Sequence, residues 1–243
     1  MKTFKHSGDI GDILYSLPVI KRMGGGVLYL DTSGGAAEIA CINQCIDKKT
    51  KFNKDGFLFL EPLLKVQPYI HDVQIFNNQT IDVNLDHFRI TMQRQPPGVK
   101  KNLLELHIDT FNLPEWDDNE PWLFVESPVT RERKTIVSRS PRMQSNFPWF
   151  QTNKFNFSEK AAFVGLKREH ELFEWTFDIS IPFYSTANAL ELAQLIAGCK
   201  AFVGNSSSAL AIAIGLGYIP IVQEVVWSCP ASVFQKKTNM NYV

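Results

Sequence analysis

The stretch AFVGNSSSALAIAIGLGYIPIV, residues 201–222, contains the clearest structural pattern in this sequence. An apolar run leads into the small polar residues 205–208, an apolar helix-like run continues to Gly217, and another apolar run follows soon afterwards. This order predicts a strand, a turn, a helix and a second strand. Together these elements make a parallel βαβ crossover.

The segments before this unit repeat the alternation of strand and helix. TANALELAQLIAG (186–198) predicts a helix with Thr186 as its N-cap and Gly198 at its end. KTIVSRS (134–140) and KAAFVGL (160–166) predict two further strands. Strands that alternate with helices indicate an open, mostly parallel α/β sheet.

The first half of the chain shows the same alternation. Its predicted strands are KTFKHS (2–7), VLYLDTS (27–33), DVQIF (72–76) and IDVNLDHF (81–88). Its predicted helices are ILYSLPVIKRM (13–23) and NLLELHIDTF (102–111), while FLFLEPLLKV (57–66) fits either element. We expect Pro18 to distort the first turns of the first helix, because proline lacks a backbone N–H.

A polar, acidic and proline-bracketed segment, LPEWDDNEP (113–121), lies between the two halves. This composition is typical of a linker, although a plain surface loop has the same character. We therefore predict two Rossmann-like domains, residues 1–118 and 119–243, with a hinge near residues 113–130.

The composition is that of an ordinary globular protein. Of the 243 residues, 44% are hydrophobic and 21% are charged, which excludes a disordered chain. The 25 basic residues balance the 25 acidic ones. This balance argues against broad nucleic-acid binding, which requires many phosphate contacts, but leaves room for a local basic groove.

The four cysteines, Cys41, Cys45, Cys199 and Cys229, have no metal-site spacing, and we interpret them as reduced and mostly buried thiols. The N-terminus has no apolar signal-peptide core, and no stretch is long and apolar enough to span a membrane. We therefore expect a cytoplasmic protein without a bound metal.

Two loops of the second half have residues suited to anion binding. Asn205, Ser206, Ser207 and Ser208 lie between a predicted strand and a helix, where backbone N–H groups attract anions. A helix cap needs only one of these residues. In VSRSPRMQSNFPWF (137–150), Ser138, Arg139, Ser140 and Arg142 follow a strand, and arginine matches phosphate oxygens. A solvated basic loop is the alternative interpretation of this second loop.

Further polar candidates also follow predicted strands. Gly165 lies at the end of KAAFVGL, Glu169 comes after it, and Glu224 follows the strand that contains Ile221. A carboxylate at such an edge could accept hydrogen bonds from a ribose or a base. Charge clusters at helix starts are often only solvated, and His170 alone does not indicate a catalyst.

The loop HSGDIGDILYSLP (6–18) contains two carboxylates beside two glycines. Gly8 and Gly11 permit close backbone approach, and the helix dipole stabilises an ionised Asp12 in the first turn. Asp12 is either a simple helix-terminal charge or a base that accepts a proton from a substrate hydroxyl. Asp9 either assists it or shapes the loop. Acids here suit a hydroxyl better than a phosphate.

Three motifs carry a resemblance to a known family. GDIGDILYSLP (8–18) resembles the amino-terminal motif of the ADP-heptose:lipopolysaccharide heptosyltransferases, which belong to glycosyltransferase family 9. AFVGNSSSALAIAIGLGYIPIV resembles the family's late motif, and VSRSP (137–141) lies where the family has its other phosphate loop. The chain is similar to a short, divergent member, as in a phage or a small gene cluster.

The resemblance implies a GT-B fold, with two Rossmann-like domains whose open parallel sheets face a central cleft. It also implies sugar transfer from a nucleotide-diphosphate sugar to an acceptor hydroxyl, with inversion and with no cofactor or obligatory metal. Asp12 matches the family's general base. Residues 206–208 match its diphosphate-binding turn, and residues 138–140 match its other donor loop.

The sequence also departs from the family pattern. The late turn usually reads Asp-Thr-Gly and is followed by His, whereas this chain has Asn-Ser-Ser-Ser followed by Ala209 and Leu210. A heptose donor and a particular acceptor therefore do not carry over, and the sequence does not give the oligomeric state.

Three other functions compete with this one. A non-catalytic nucleotide-binding module would use the same βαβ unit without turnover. A phage enzyme that glycosylates modified DNA bases would have DNA as its acceptor, although the balanced charge counts against it. A dinucleotide oxidoreductase ranks last, because the first loop lacks G-x-G-x-x-G.

Overall fold

The computed structural model describes residues 1–33, 52–96, 98–126, 128–129, 134–145, 160–226, 232–234 and 236–243. Cys41, Cys45 and Cys229 lie outside these residues, whereas Cys199 is a free, partly buried thiol. Two separate parallel β-sheets form the framework, one in each half of the chain. The predicted α/β class is therefore confirmed.

The first sheet has the strand order β3-β2-β1-β4. Its strands are β1 (Lys2–His6), β2 (Gly26–Leu30), β3 (Ile70–Ile75) and β4 (Val83–Asn84), and each neighbouring pair is parallel. The helices of this half are α1 (Ile10–Arg22), α2 (Lys54–Lys65), α3 (Phe88–Gln93) and α4 (Leu103–Thr110). Because the chain order reverses beside β1, the loops after β1 and β4 meet at a topological switch point.

The ambiguous segment 57–66 belongs to a helix. Asn53 caps α2 by accepting a hydrogen bond from the Gly56 N–H, and Phe57, Leu60 and Leu64 are buried. Their spacing of three and four residues is that of a helical apolar face, which a strand could not bury on one side.

The predicted strand at 81–88 is mostly wrong. β4 has only two residues, after which a single 3₁₀ turn, Leu85–His87, leads into α3. The Asn84 side chain accepts a hydrogen bond from the Asp86 N–H. Asn and Asp form such local bonds readily, and the bond here starts a turn where the alternating pattern suggested continued strand.

The second sheet has the strand order β6-β5-β7-β8-β9. Its strands are β5 (Thr135–Ser138), β6 (Ala161–Phe163), β7 (Ala201–Asn205), β8 (Ile221–Glu224) and β9 (Met240–Tyr242), all parallel. The helices are α5 (Lys167–Phe177), α6 (Ala189–Ala197) and α7 (Ser208–Leu216). The loops after β5 and β7 meet at the switch point of this sheet.

The N-cap of α6 differs from the prediction. Asn188, rather than Thr186, accepts a hydrogen bond from the Glu191 N–H, and the helix begins at the next residue. Both residue types are good caps, but Asn ranks above Thr. The β7–α7–β8 crossover itself is present as the sequence indicated.

The two halves pack against each other through helices. α1 lies against α7, and α2 lies against α6. Buried residues of both halves, such as Leu17 and Ile212, belong to one hydrophobic cluster. The sheets are therefore separate, whereas the apolar core beneath them is shared.

Pro18 lies within α1 and does not end it, because the helix continues to Arg22. Since proline has no N–H, the carbonyl of Leu14 loses its helical partner. The indole Nε1 of the buried Trp122 donates to this oxygen at 3.1 Å. Trp122 thus supplies the hydrogen bond to the Leu14 carbonyl that Pro18 cannot donate.

The acidic joint also packs on α1. Glu120 accepts hydrogen bonds from Lys21 at 2.8 Å and Arg22 at 3.2 Å, and Trp116 is buried. Near the end of the chain, Phe234 stacks on Tyr15 of α1 at a centroid distance of 5.7 Å. The domain boundary at 118/119 and the hinge stay predictions.

Candidate functional site

Asp12 lies at the switch point of the first sheet, in the first turn of α1. Its side chain is 28% exposed, and its Oδ2 lies 3.4 Å from Nη2 of Arg89 in α3. The Arg89 side chain is only 5% exposed. A partly open carboxylate therefore faces a buried cation from a different element.

Asp86 anchors this cation. Asp86 Oδ1 accepts hydrogen bonds from Nη1 of Arg89 at 2.6 Å and from the Ser7 N–H at 3.0 Å. Asp86 Oδ2 accepts from the Ser7 hydroxyl at 2.6 Å. Burial opposes ionisation of Asp86, but the charge that His6 carries when it is protonated, the Ser7 hydrogen bonds and the Arg89 charge outweigh burial and lower the pKa of Asp86 to about 2.

Glycine is required at position 8 because the side chains of Arg89 and Asp12 lie close to its backbone. A Cβ at this position would lie 2.6 Å from Nη2 of Arg89 and 2.8 Å from Oδ2 of Asp12. A Cβ at Gly11, in contrast, would meet nothing within 4 Å. Gly8 thus makes room for the Asp12–Arg89 pair, and the open side of the loop is at Gly11.

Two buried histidines lie beneath the pair. His6 accepts a hydrogen bond from the Gly8 N–H at its Nδ1, and its ring centroid lies 5.7 Å from that of His107. Burial lowers the pKa of His6 to about 3 and lowers the pKa of His107 well below its usual value. Both rings are therefore neutral at pH 7.

Asp9 is the N-cap residue of α1, but its side chain makes no capping hydrogen bond. Its carbonyl accepts from the Ile13 N–H at 3.1 Å. Asp9 and Asp12 thus lie in one loop with different roles in the backbone, since Asp9 precedes the helix and Asp12 belongs to it.

In the second half, Asn205 joins the two loops of the switch point. Its Oδ1 accepts from the Ser140 N–H at 2.8 Å, and its Nδ2 donates to the carbonyls of Ser140 and Met143, each at 2.7 Å. The loops after β5 and β7, predicted separately from the sequence, are therefore adjacent. Asn205 is fully buried and shapes them.

Arg139 and Glu224, both candidates for ligand contacts, bind each other. Arg139 Nε and Nη2 donate to Glu224 at 2.7 and 2.9 Å, and the side chains are 5% and 0% exposed. Glu224 also accepts from the N–H and hydroxyl of Ser145. In this arrangement Glu224 uses its oxygens within the protein and Arg139 is neutralised, which is a structural role.

The three serines of the turn at residues 206–208 have different hydrogen-bonding roles. Ser207 is the N-cap of α7, because its hydroxyl accepts from the Leu210 N–H at 3.2 Å. The Ser206 hydroxyl lies 2.5 Å from that of Ser232. Ser208 is the first residue of the helix, and all three residues of the turn are partly exposed.

The remaining candidates lie around the start of α5 and the loop after β5. Glu169 accepts a hydrogen bond from the Leu166 N–H at 2.9 Å, and Gly165 has a φ of 133°, which favours glycine. Ser138 is buried at the end of β5. Arg142 lies in a 3₁₀ turn, Pro141–Met143, but its side chain is outside the described part of the structure.

Sequence reasoning missed Asp86, Arg89, His6 and His107. Asp86 lies in the segment that was predicted as a strand, 81–88, and Arg89 directly follows that segment. One signal was present: an Asp and an Arg three residues apart can form an ion pair when the segment is helical.

A cavity of about 720 Å³ lies elsewhere between the halves. Its lining includes Val66, Phe124, Leu216 and Tyr218. Val66 and Leu216 are at the carboxyl ends of α2 and α7, whereas the switch-point loops lead into helix amino ends. This cavity is therefore separate from the candidate site.

Two parallel α/β halves, each with its loops at a switch point, define the GT-B class of fold. A glycosyltransferase of family 9 from Veillonella parvula has a similar structure, with a TM-score of 0.59 and 10% identity over 99% of this chain and 84% of that one. ADP-heptose lipopolysaccharide heptosyltransferase II of Escherichia coli also has a TM-score of 0.59, with 14% identity over 100% of this chain and 90% of that one.

These likenesses confirm the fold prediction: the chain has the GT-B fold seen in family 9. No protein-family profile and no curated protein sequence matches the chain. Within the described residues, no helix has both the length and the apolar character that a membrane crossing requires.

Proposed function

We propose that this protein is a glycosyltransferase that moves a sugar from a nucleotide-diphosphate sugar to an acceptor hydroxyl, with inversion and without a metal. The observation that carries the proposal is the partly exposed Asp12 carboxylate at the switch point of a family 9-like fold. In such folds, ligands bind outside the carboxyl ends of the strands.

In this reaction the first half would activate the acceptor hydroxyl, and the second half would hold the donor. The Asp12 carboxylate takes the proton of the acceptor hydroxyl while that oxygen bonds to the anomeric carbon of the sugar. The bond from this carbon to the donor diphosphate breaks, and the nucleoside diphosphate leaves with the electron pair. Inversion follows from a single displacement.

The start of α7 supports the donor assignment. The amino end of a helix favours negative charge, and Ser206 and Ser208, which are partly exposed residues, lie at the amino end of α7. Arg139 contributes by holding the loop after β5 through Glu224 rather than by facing solvent. A diphosphate at α7 and a hydroxyl at Asp12 would occupy different halves of the molecule.

The donor can be identified by thermal unfolding with a panel of nucleoside diphosphates and their sugars. ADP-heptose belongs in this panel, because one of the similar structures is named for it. A ligand at 100 times its dissociation constant stabilises the native state by about 2.7 kcal/mol. The best donor is then tested for turnover with a panel of hydroxyl acceptors, which includes glycans and modified duplex DNA.

Asp12→Asn tests the catalytic assignment. The change keeps the shape of the side chain but removes its basicity, so we expect transfer to fall ~100- to 10,000-fold. Nucleotide affinity, measured on the same variant by calorimetry, should hardly change because the donor lies on the other half.

Asp9→Asn is the matched control, because it removes a carboxylate from the same loop and should reduce transfer much less. Full transfer activity in Asp12→Asn would refute the assignment. Loss of nucleotide binding in Asp12→Asn would place the donor on the first half instead.

A further inference from the structure

Asp86 and Arg89 form a rigid support behind Asp12. The guanidinium is divided between two carboxylates: Nη1 lies 2.6 Å from Asp86 and Nη2 lies 3.4 Å from Asp12. The Arg89 side chain is 5% exposed, and its guanidinium lies 4.7 Å from the centre of the Phe88 ring. Packing and charge together fix the position of the cation.

The support is anchored in the loop that carries Asp12. Both the N–H and the hydroxyl of Ser7 bind Asp86, and Ser7 precedes Gly8, whose lack of a side chain lets Arg89 approach. The chain of contacts therefore runs from the loop to Asp86, on to Arg89, and back to the carboxylate of the same loop.

We infer that Arg89, held by Asp86, is a positioning residue that orients Asp12 and keeps it ionised for proton transfer. The inference rests on the proposed role of Asp12 as the base. An opposite charge within about 4–6 Å favours the ionised form of a carboxylate. A guanidinium fixed by a second carboxylate provides this charge without taking the acceptor's place on the open side.

Other groups near Asp12 do not replace this cation. His6 of β1 and His107 of α4 are neutral at pH 7, and Tyr15 of α1 keeps its proton because burial raises its pKa. Asp9 and Asp86 are carboxylates, which oppose a second negative charge. Lys5 of β1 lies 3.2 Å from Asp31 and 3.6 Å from Asp86. Among the residues that the structure describes, Arg89 is a cation that forms an ion pair with Asp12.

The test is a direct titration of Asp12 in the full chain, without any ligand. Protein labelled with ¹³C at the aspartate carboxyl carbon is followed by NMR from pH 7 downwards, and Asp12→Asn identifies the Asp12 signal. In Arg89→Gln we expect the titration midpoint of Asp12 to rise by about one pH unit. Arg89→Lys, which keeps the charge, should retain part of the effect.

Arg94→Gln is the matched control, because Arg94 is an exposed arginine at the end of the same helix. It should leave the Asp12 midpoint where it is. If Arg89→Gln does not fold because Asp86 is left unpaired, Asp86→Asn/Arg89→Gln removes both buried charges, and the Asp12 midpoint should again rise.

An Asp12 midpoint that is unchanged in every folded Arg89 variant would overturn the inference. With the donor found by thermal unfolding, the acid limb of the kcat profile should move upward with the NMR midpoint in Arg89→Gln, while donor affinity stays constant. Full transfer activity in Asp12→Asn would instead overturn the proposed function, and the NMR result would still decide whether Arg89 sets the ionisation of Asp12.

Discussion

A carboxylate–arginine pair lies near the switch point of each half, Asp12–Arg89 in the first and Glu224–Arg139 in the second, and the two pairs are built differently. Glu224 and Arg139 share two hydrogen bonds of 2.7 and 2.9 Å, and Glu224 is fully buried. Asp12 and Arg89 have one contact at 3.4 Å, and the Asp12 side chain is 28% exposed. In the first half, the short bond of the arginine goes to Asp86 instead.

The difference separates a structural ion pair from one available for chemistry. The Glu224 oxygens are occupied by Arg139 and Ser145, so a substrate would have to displace protein groups to reach them. Asp12 keeps part of its surface open while a second carboxylate holds its arginine in place. A carboxylate–arginine pair therefore stabilises the fold in the second half, whereas the pair in the first half supports the group that we propose as the base.

The largest expected effect is on stability in the second half. Arg139→Met leaves Glu224 buried without its cation, so we expect it to lower the free energy of unfolding by about 3–5 kcal/mol. Asp12→Asn should lower it by less than about 1 kcal/mol, because Arg89 keeps Asp86. Urea unfolding measures the free energy of unfolding of both variants. If the two variants lost the same amount, the proposed difference between the pairs would be wrong.

The second expected effect is a loss of stability at low pH, which comes from the two buried histidines beneath the Asp12–Arg89 pair. The pKa values of His6 and His107 are lowered in the folded state, so the unfolded chain takes up protons first as the pH falls below about 6.5. Stability should therefore fall by about 2 kcal/mol between pH 7 and pH 5 because of His6, and His107 should add to this loss. For His6 the loss continues until the pH reaches the folded-state pKa of about 3.

His107→Phe sharpens this test, since the ring already packs on Phe88 at a centroid distance of 4.2 Å. The variant should remove the part of the stability loss over that pH range that comes from His107. Urea unfolding at pH 7, 6 and 5 provides the measurement. A variant as acid-sensitive as the natural chain would show that other groups control the response.

The smallest effect separates structure from binding within the serine turn. Ser207→Ala removes the N-cap of α7 and should destabilise the protein by about 1 kcal/mol. Ser208→Ala removes a hydroxyl without a capping role, so it should leave urea unfolding nearly unchanged while it weakens nucleotide binding. If Ser208→Ala had normal nucleotide affinity, the serine turn would have only a structural role, like the buried Arg139–Glu224 pair.

The sequence predicted the helices and strands better than it predicted which residues of different elements are in contact. Local patterns were sufficient for the β7–α7–β8 crossover and for Asp12 in the first turn of a helix. The support behind Asp12 was missed because Arg89 is 77 residues away along the chain. The pairing of β1 with the short β4 helps to bring the two together.

Arg139 shows a different limit of sequence reasoning. An arginine between serines after a strand indicates a phosphate loop, and Glu224 after another strand indicates a ribose partner. Each interpretation is sound locally, but the two side chains lie 85 residues apart in sequence and neutralise each other in the structure. A local pattern gives the chemistry of a side chain and not the identity of its partner.

The bond between Trp122 and Leu14 has a consequence for how this sequence can diverge. Because Pro18 leaves the Leu14 carbonyl without a helical donor, the indole N–H is needed only while position 18 is proline. A descendant that gains an N–H at position 18 no longer needs the indole donor of Trp122, although the buried ring still packs on Trp116 and Phe234. A descendant that loses the indole first passes through a less stable intermediate. The order of the two replacements is therefore biased, and the two positions should be inherited as a linked pair.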